Sequence, residues 1–189
     1  KLKLIGNSHV AEESYFEDTA KRLEGCEVIV HEAHFRGINP KDIELVIVAT
    51  ATPDMKAAST AAYTATQIGA VNAFSFDLEA ACSSFLFGMS TAAKYIESGR
   101  YKNVLLIGAD KNSSFINYED RATCIIFGDG AGAVLFEPNT EGLGLQDEIL
   151  RSDGSGREFL QATYGGSSYP STPEAVAEGK HYVFQDGKT

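Results

Sequence analysis

The sequence has no apolar run long enough to cross a membrane, no internal repeat and no low-complexity tract. Its opening residues, Lys1-Leu2-Lys3-Leu4-Ile5-Gly6, are too short an apolar stretch for a secretory signal. Cysteine is scarce. Cys26, Cys82 and Cys124 are an odd number without metal-ligand spacing, which reads as a reduced, cytosolic (cytoplasmic) protein. Only His31 and His34 stand close together, and they read as an exposed helix face rather than a ligand pair, so no metal is expected. Basic residues are in deficit: 16 Lys and Arg against 26 Asp and Glu leave a net charge of −10. That balance argues against a nucleic acid or an anionic membrane surface as the main partner.

What remains is a globular composition, 43% hydrophobic and 22% charged over 189 residues, enough for a sizeable core. The stretch from about Ser14 to Gly37 mixes charged with aliphatic residues and predicts two helical pieces, stopped at Gly37-Ile38-Asn39-Pro40. Leu45-Val46-Ile47-Val48-Ala49 is a β-branched apolar run suited to a strand buried on both faces. A small-residue helix is predicted from about Ser59 to Ile68, ended by Gly69, and a strand over Ala73–Asp77. A second helix follows over Ser83–Ser98, ended by Gly99, then strands over Val104–Ala109 and Ala133–Phe136. Strands alternating with helices predict an α/β fold with a largely parallel sheet. Residues 150–180, rich in Gly, Ser, Pro and Thr, read as a long ordered loop, with a strand starting again at His181-Tyr182-Val183-Phe184. A chain that stops just as that strand finishes is expected to be incomplete.

One cysteine stands apart. In Phe76-Asp77-Leu78-Glu79-Ala80-Ala81-Cys82-Ser83-Ser84-Phe85 a strand ends, small residues turn, and a helix begins at or just after Cys82. The free amides and dipole at a helix N-terminus favour negative charge, hence the thiolate, which is the nucleophilic form. Ala80 and Ala81 leave room for a substrate, and the Cys82 amide is a candidate oxyanion donor. The competing reading is that Cys82 is a small buried hydrophobe. Cys124, ahead of an apolar strand, takes that core reading. Phe127-Gly128-Asp129-Gly130-Ala131-Gly132-Ala133 loosely resembles a dinucleotide loop, but it precedes a strand instead of joining strand to helix. Its glycines are expected to let backbones pass closely near the catalytic region, and the Asp129 carboxylate to bind backbone amides and fix the turn.

Several segments then become specific. Asp77-x-x-Ala80-Ala81-Cys82-Ser83-x-Phe85 resembles the nucleophile segment of β-ketoacyl-acyl carrier protein synthase III. Val46–Asp54, Ser98–Lys111 and Asp120–Ala133 resemble further stretches of that family in the same order, and His181–Thr189 resembles its segment before the second half. The resemblance implies a thiolase-like fold of two similar halves, with this chain (1–189) carrying the N-terminal half and lacking the C-terminal one. It implies a homodimer, with Cys82 taking an acyl group from acyl-CoA and passing it to malonyl-acyl carrier protein with loss of carbon dioxide, to start fatty acid synthesis. No metal or redox cofactor is implied. Rival readings are a polyketide- or quinolone-type condensing enzyme with another primer, and a non-catalytic partner subunit of the same fold.

The departures matter equally. The family's catalytic His and Asn belong to its second half, and none of His9, His31, His34 or His181 matches the motif of that His. There is no Trp, and only Gly6 to Ala11 faintly resembles the end of the family's Trp-and-Arg segment that holds the CoA nucleotide. Ala57 and Ala58 stand where the family usually has a bulky aromatic and a Pro. The smaller Ala57 predicts room for longer or branched primers.

Overall fold

The computed structural model describes residues 2–5 and 38–187. The helical pieces expected between Ser14 and Gly37 lie outside the described residues, as does Cys26. Two compact units divide the chain: residues 1–110 with 131–149, and residues 111–130 with 150–189.

The first unit is built on a five-stranded sheet of order β1-β5-β4-β2-β3. The strands are β1 (Leu2–Ile5), β2 (Leu45–Ala49), β3 (Phe74–Leu78), β4 (Val104–Asp110) and β5 (Gly130–Phe136). Helix α1 (Thr60–Gln67) joins β2 to β3, and α2 (Ser84–Glu97) joins β3 to β4. β2 runs parallel to both neighbours, with Ile47 opposite Phe76 on one side and Leu106 on the other. β1 pairs antiparallel with β5. The fold is thus α/β with a mostly parallel sheet, as the alternation of apolar runs and helical stretches predicts.

Every residue of β2 is buried, and its two faces feed two separate cores. Val46 and Val48 pack with Ala61 and Ala65 of α1, alongside Leu105 and Ile107. Leu45, Ile47 and Ala49 pack with Ala92 of α2, alongside Leu106 and Val104. Alternation of side chains along a strand sends successive residues to opposite layers. Burying each such Val, Leu or Ile side chain contributes about 1.5–3 kcal/mol.

Two glycines let α2 lie close on β4. A Cβ on Gly88 would come within 2.5 Å of Leu106 Cδ1, and one on Gly108 within 2.8 Å of the Phe85 ring. Both distances are below real Cβ contacts, so a Cβ at either position would force the Leu106 or Phe85 side chain to shift. Gly69 (φ +79°) and Gly99 (φ +72°) follow α1 and α2 as the expected helix stops.

The second unit holds a short antiparallel pair, β6 (Leu160–Ala162) and β7 (Val183–Gln185), and a one-turn helix, α3 (Pro173–Ala177). Thr172 caps α3, its Oγ accepting from the Ala175 amide at 3.2 Å. The segment expected as a loop therefore carries short elements, and the strand expected from His181 begins at Val183.

Two further expectations are corrected. β5 begins at Gly130, three residues ahead of Ala133. Cys124-Ile125-Ile126-Phe127 is not itself a strand: the Cys124 amide donates to Asp120 O at 3.0 Å, and Ile126 N–H donates to Thr123 O at 3.0 Å, which makes the segment a turn ahead of β5. Asp120 organises it, accepting from the Ala122 amide at 3.0 Å and from the Thr123 hydroxyl at 2.8 Å. Such local side-chain bonds compete with a strand ladder. Ile125 is 76% exposed and Cys124 only half-buried, so the core reading of Cys124 holds in part.

Candidate active site

β2, β3 and β4 run parallel, so their carboxyl ends lie at one end of the sheet, where open α/β sheets ordinarily bind ligands. Cys82 sits just past the carboxyl end of β3, inside a single 3-10 turn (Ala81–Ser83) that runs into α2. It is exposed, which rules out the buried-hydrophobe reading for Cys82. Helix α2 begins two residues later, so the thiol stands at the helix N-terminal end as the sequence predicts.

The elbow has an unusual backbone. Ala81 has φ +48°, in the left-handed region that costs a residue with a Cβ about 1–2 kcal/mol. Such a residue persists only where its surroundings over-determine it. Here the buried Ser84 hydroxyl does so: its Oγ accepts from the Ala80 amide at 2.7 Å and donates to the Ala81 carbonyl at 2.6 Å. The Ala81 amide donates to Glu79 Oε1 at 2.8 Å. Ser83, in the capping position of α2, makes no side-chain capping bond.

Acidic residues tie down the neighbouring strand ends. Asp77 in β3 caps α1, accepting from the Thr60 amide at 2.8 Å, the Ala61 amide at 2.6 Å and the Ser59 hydroxyl at 3.2 Å. Asp110 at the end of β4 accepts from the Ala51 amide at 2.8 Å and the Thr50 hydroxyl at 3.2 Å, holding the segment that leaves β2. Ala57, farther along that segment, is exposed and also left-handed, at φ +71°.

The glycine-rich run departs from its expected role. A Cβ on Gly128, Gly130 or Gly132 would meet nothing within 4 Å among the described residues, so these glycines make no close backbone passage. They are exposed, which leaves space around them. Asp129 does bind backbone, as expected, but across to another turn: it accepts from the Ser113 amide at 2.7 Å and the Ser113 hydroxyl at 2.6 Å.

Sequence reasoning singled out Cys82 from its strand-turn-helix setting and passed over Ser84. A serine at the start of a helix ordinarily signals a cap to the amides ahead of it. Nothing in the sequence marks one whose hydroxyl bonds backward.

The family model for 3-oxoacyl-[acyl-carrier-protein (ACP)] synthase III matches residues 76–154, a span that opens in β3 and contains the elbow. β-Ketoacyl-[acyl-carrier-protein] synthase III 2 of Bacteroides thetaiotaomicron is 55% identical over 153 residues, covering 81% of this chain and 46% of that protein. The chain is similar to ketoacyl synthase III mostly over that family's N-terminal half. It spans about half the length of the curated relatives it matches. Among solved structures, ketoacyl synthase III of Thermus thermophilus superposes with a TM-score of 0.71 at 32% identity, covering 84% of this chain and 48% of that one. A priming β-ketosynthase of a polyketide pathway superposes with a TM-score of 0.65 at 29% identity, covering 80% and 44%. The fold is the thiolase-like α/β fold of ketoacyl synthase III.

Proposed function

We propose that the full-length protein is a ketoacyl synthase III that starts fatty acid synthesis, with Cys82 as its nucleophile. The observation that carries the reading is the exposed Cys82 thiol on a constrained elbow at the N-terminal end of α2, past the carboxyl ends of parallel strands. The Cys82 thiolate attacks the acyl-CoA thioester carbonyl, the CoA thiolate departs, and an acyl-cysteine forms. Malonyl-acyl carrier protein then loses carbon dioxide, and the resulting carbanion attacks the acyl-cysteine, forming the new carbon–carbon bond and releasing Cys82 as thiolate. Each step uses thioester and carboxylate chemistry alone, so no metal or redox cofactor enters the reading. A cytoplasmic location accords with it, and no helix among the described residues is long and apolar enough to cross a membrane. A homodimer accords with β3, which ends the strand order of the sheet and has no further strand beside it among the described residues.

The primer is the finer question. Ala57, in place of a bulky aromatic, supports a pocket that takes longer or branched acyl groups. The similarity to a polyketide priming ketosynthase keeps a polyketide-type primer as the second reading.

Intact-protein mass spectrometry after incubation with acetyl-CoA and with longer and branched acyl-CoAs tests both points. The expected result is an acyl adduct on Cys82, absent in Cys82→Ser, with at least one longer primer accepted as readily as acetyl. No adduct on folded protein would favour a non-catalytic partner subunit, and a strict two-carbon preference would overturn the primer reading.

A further inference from the structure

We propose that Ser84 is a positioning residue for Cys82, its hydroxyl locking the elbow in the shape that acyl transfer requires. This rests on the reading of Cys82 as the acyl-accepting nucleophile. Ser84 is the first residue of α2 and is only 3% exposed. Its hydroxyl has a single donor proton, which goes to the Ala81 carbonyl at 2.6 Å, while the oxygen accepts from the Ala80 amide at 2.7 Å. Those two groups flank the Cα of Ala80 and of Ala81, and the Ala81 carbonyl belongs to the peptide bond that leads into Cys82. Ser84 therefore clamps the backbone on the approach to the thiol.

The clamp has something to hold. Ala81 lies at φ +48°, a conformation that an alanine leaves when nothing opposes the change. The Ala81 amide does reach Glu79, but that residue is exposed, and its bond competes with water. The Ser84 side chain is buried and its two bonds are part-buried, so they are more sheltered from that competition. Loss of the hydroxyl leaves the Ala81 carbonyl with the Ser84 amide alone and the Ala80 amide without its partner, so Ala81 relaxes toward the right-handed region and the Ala81–Cys82 peptide turns. That turn carries both the Cys82 amide and its Cβ–Sγ bond with it. Acyl transfer is sensitive to such a displacement, since a misplacement of about 1 Å costs on the order of 100-fold in rate.

The test uses the full-length protein with Ser84→Ala, Ser84→Thr and, as control, Cys82→Ser. Quenched reactions at several acetyl-CoA concentrations, read by intact mass, separate the maximal acylation rate from the half-saturating concentration. Alkylation of Cys82 by iodoacetamide across pH gives a second reading that needs no acyl transfer. Ser84→Ala is expected to lower the maximal acylation rate by about 10- to 100-fold with the half-saturating concentration within about 3-fold, and Ser84→Thr, which keeps the hydroxyl, to recover most of it. A folded Ser84→Ala that acylates at the wild-type rate, or that changes only the half-saturating concentration, would overturn the proposal. Should Ser84→Ala fail to fold, pairing it with Ala81→Gly, which removes the cost of the left-handed backbone, is expected to restore folding and alkylation of Cys82, and failure of the pair to do so counts against the clamp. Wild-type protein that alkylates at Cys82 yet accepts no acyl group would sink the acyltransferase reading instead. In that case the alkylation profile of Ser84→Ala still reports the clamp: a changed profile supports it, and one identical to wild type counts against it.

Discussion

At the scale of single residues, Gly108 and Phe85 show how a missing side chain steers the site. Phe85 stands three positions after Cys82, and its ring occupies the space where a Cβ on Gly108 would be, 2.8 Å away. Gly108→Ala must push the ring aside in a packed interior. The expected cost is about 1–3 kcal/mol, seen as a lower urea midpoint with an unchanged slope. Because Phe85 follows the elbow within one helical turn, slower alkylation of Cys82 should accompany the loss.

At the scale of elements, Asp77 joins β3 to α1. Its carboxylate serves two amides in the first turn of α1, groups that otherwise lack a partner within the helix. Asp77→Ala should destabilise the protein by about 2–3 kcal/mol in chemical denaturation, and Asp77→Asn by less, since one acceptor oxygen remains.

The elements themselves were largely legible. β2 reads off its unbroken run Leu45–Ala49, and α1 and α2 off the stretches closed by Gly69 and Gly99, because burial and helix-stop chemistry are local signals. Cys124-Ile125-Ile126-Phe127 misleads for a physical reason: it looks as apolar as β2, but the Asp120 side chain, four residues before Cys124's end of the run, bends it into a turn. Of the candidate site, only the strand-turn-helix setting of Cys82 was legible. The Ser84 clamp and the left-handed Ala81 depend on backbone angles, and composition and spacing carry no record of those.

At the scale of the whole molecule, β3 matters most, the last strand of the sheet among the described residues. Phe74 at the start of that strand is 41% exposed, and its ring lies 5.7 Å from Tyr95 and 5.4 Å from Tyr101. The full-length protein is expected to sediment as a dimer at micromolar concentration. A monomer that stays so as concentration rises would count against the dimer.

The two-faced burial of β2 also limits how this protein can drift over evolutionary time. Val46 and Val48 serve the α1 layer, while Leu45, Ile47 and Ala49 serve the α2 layer. Exchanging one aliphatic residue for another costs little there. Gaining or losing a single codon within the strand hands every later side chain to the wrong layer and moves the strand's end by one residue. Lineages can therefore vary the identity of these residues far more freely than their number, and changes in chain length should collect away from this sheet.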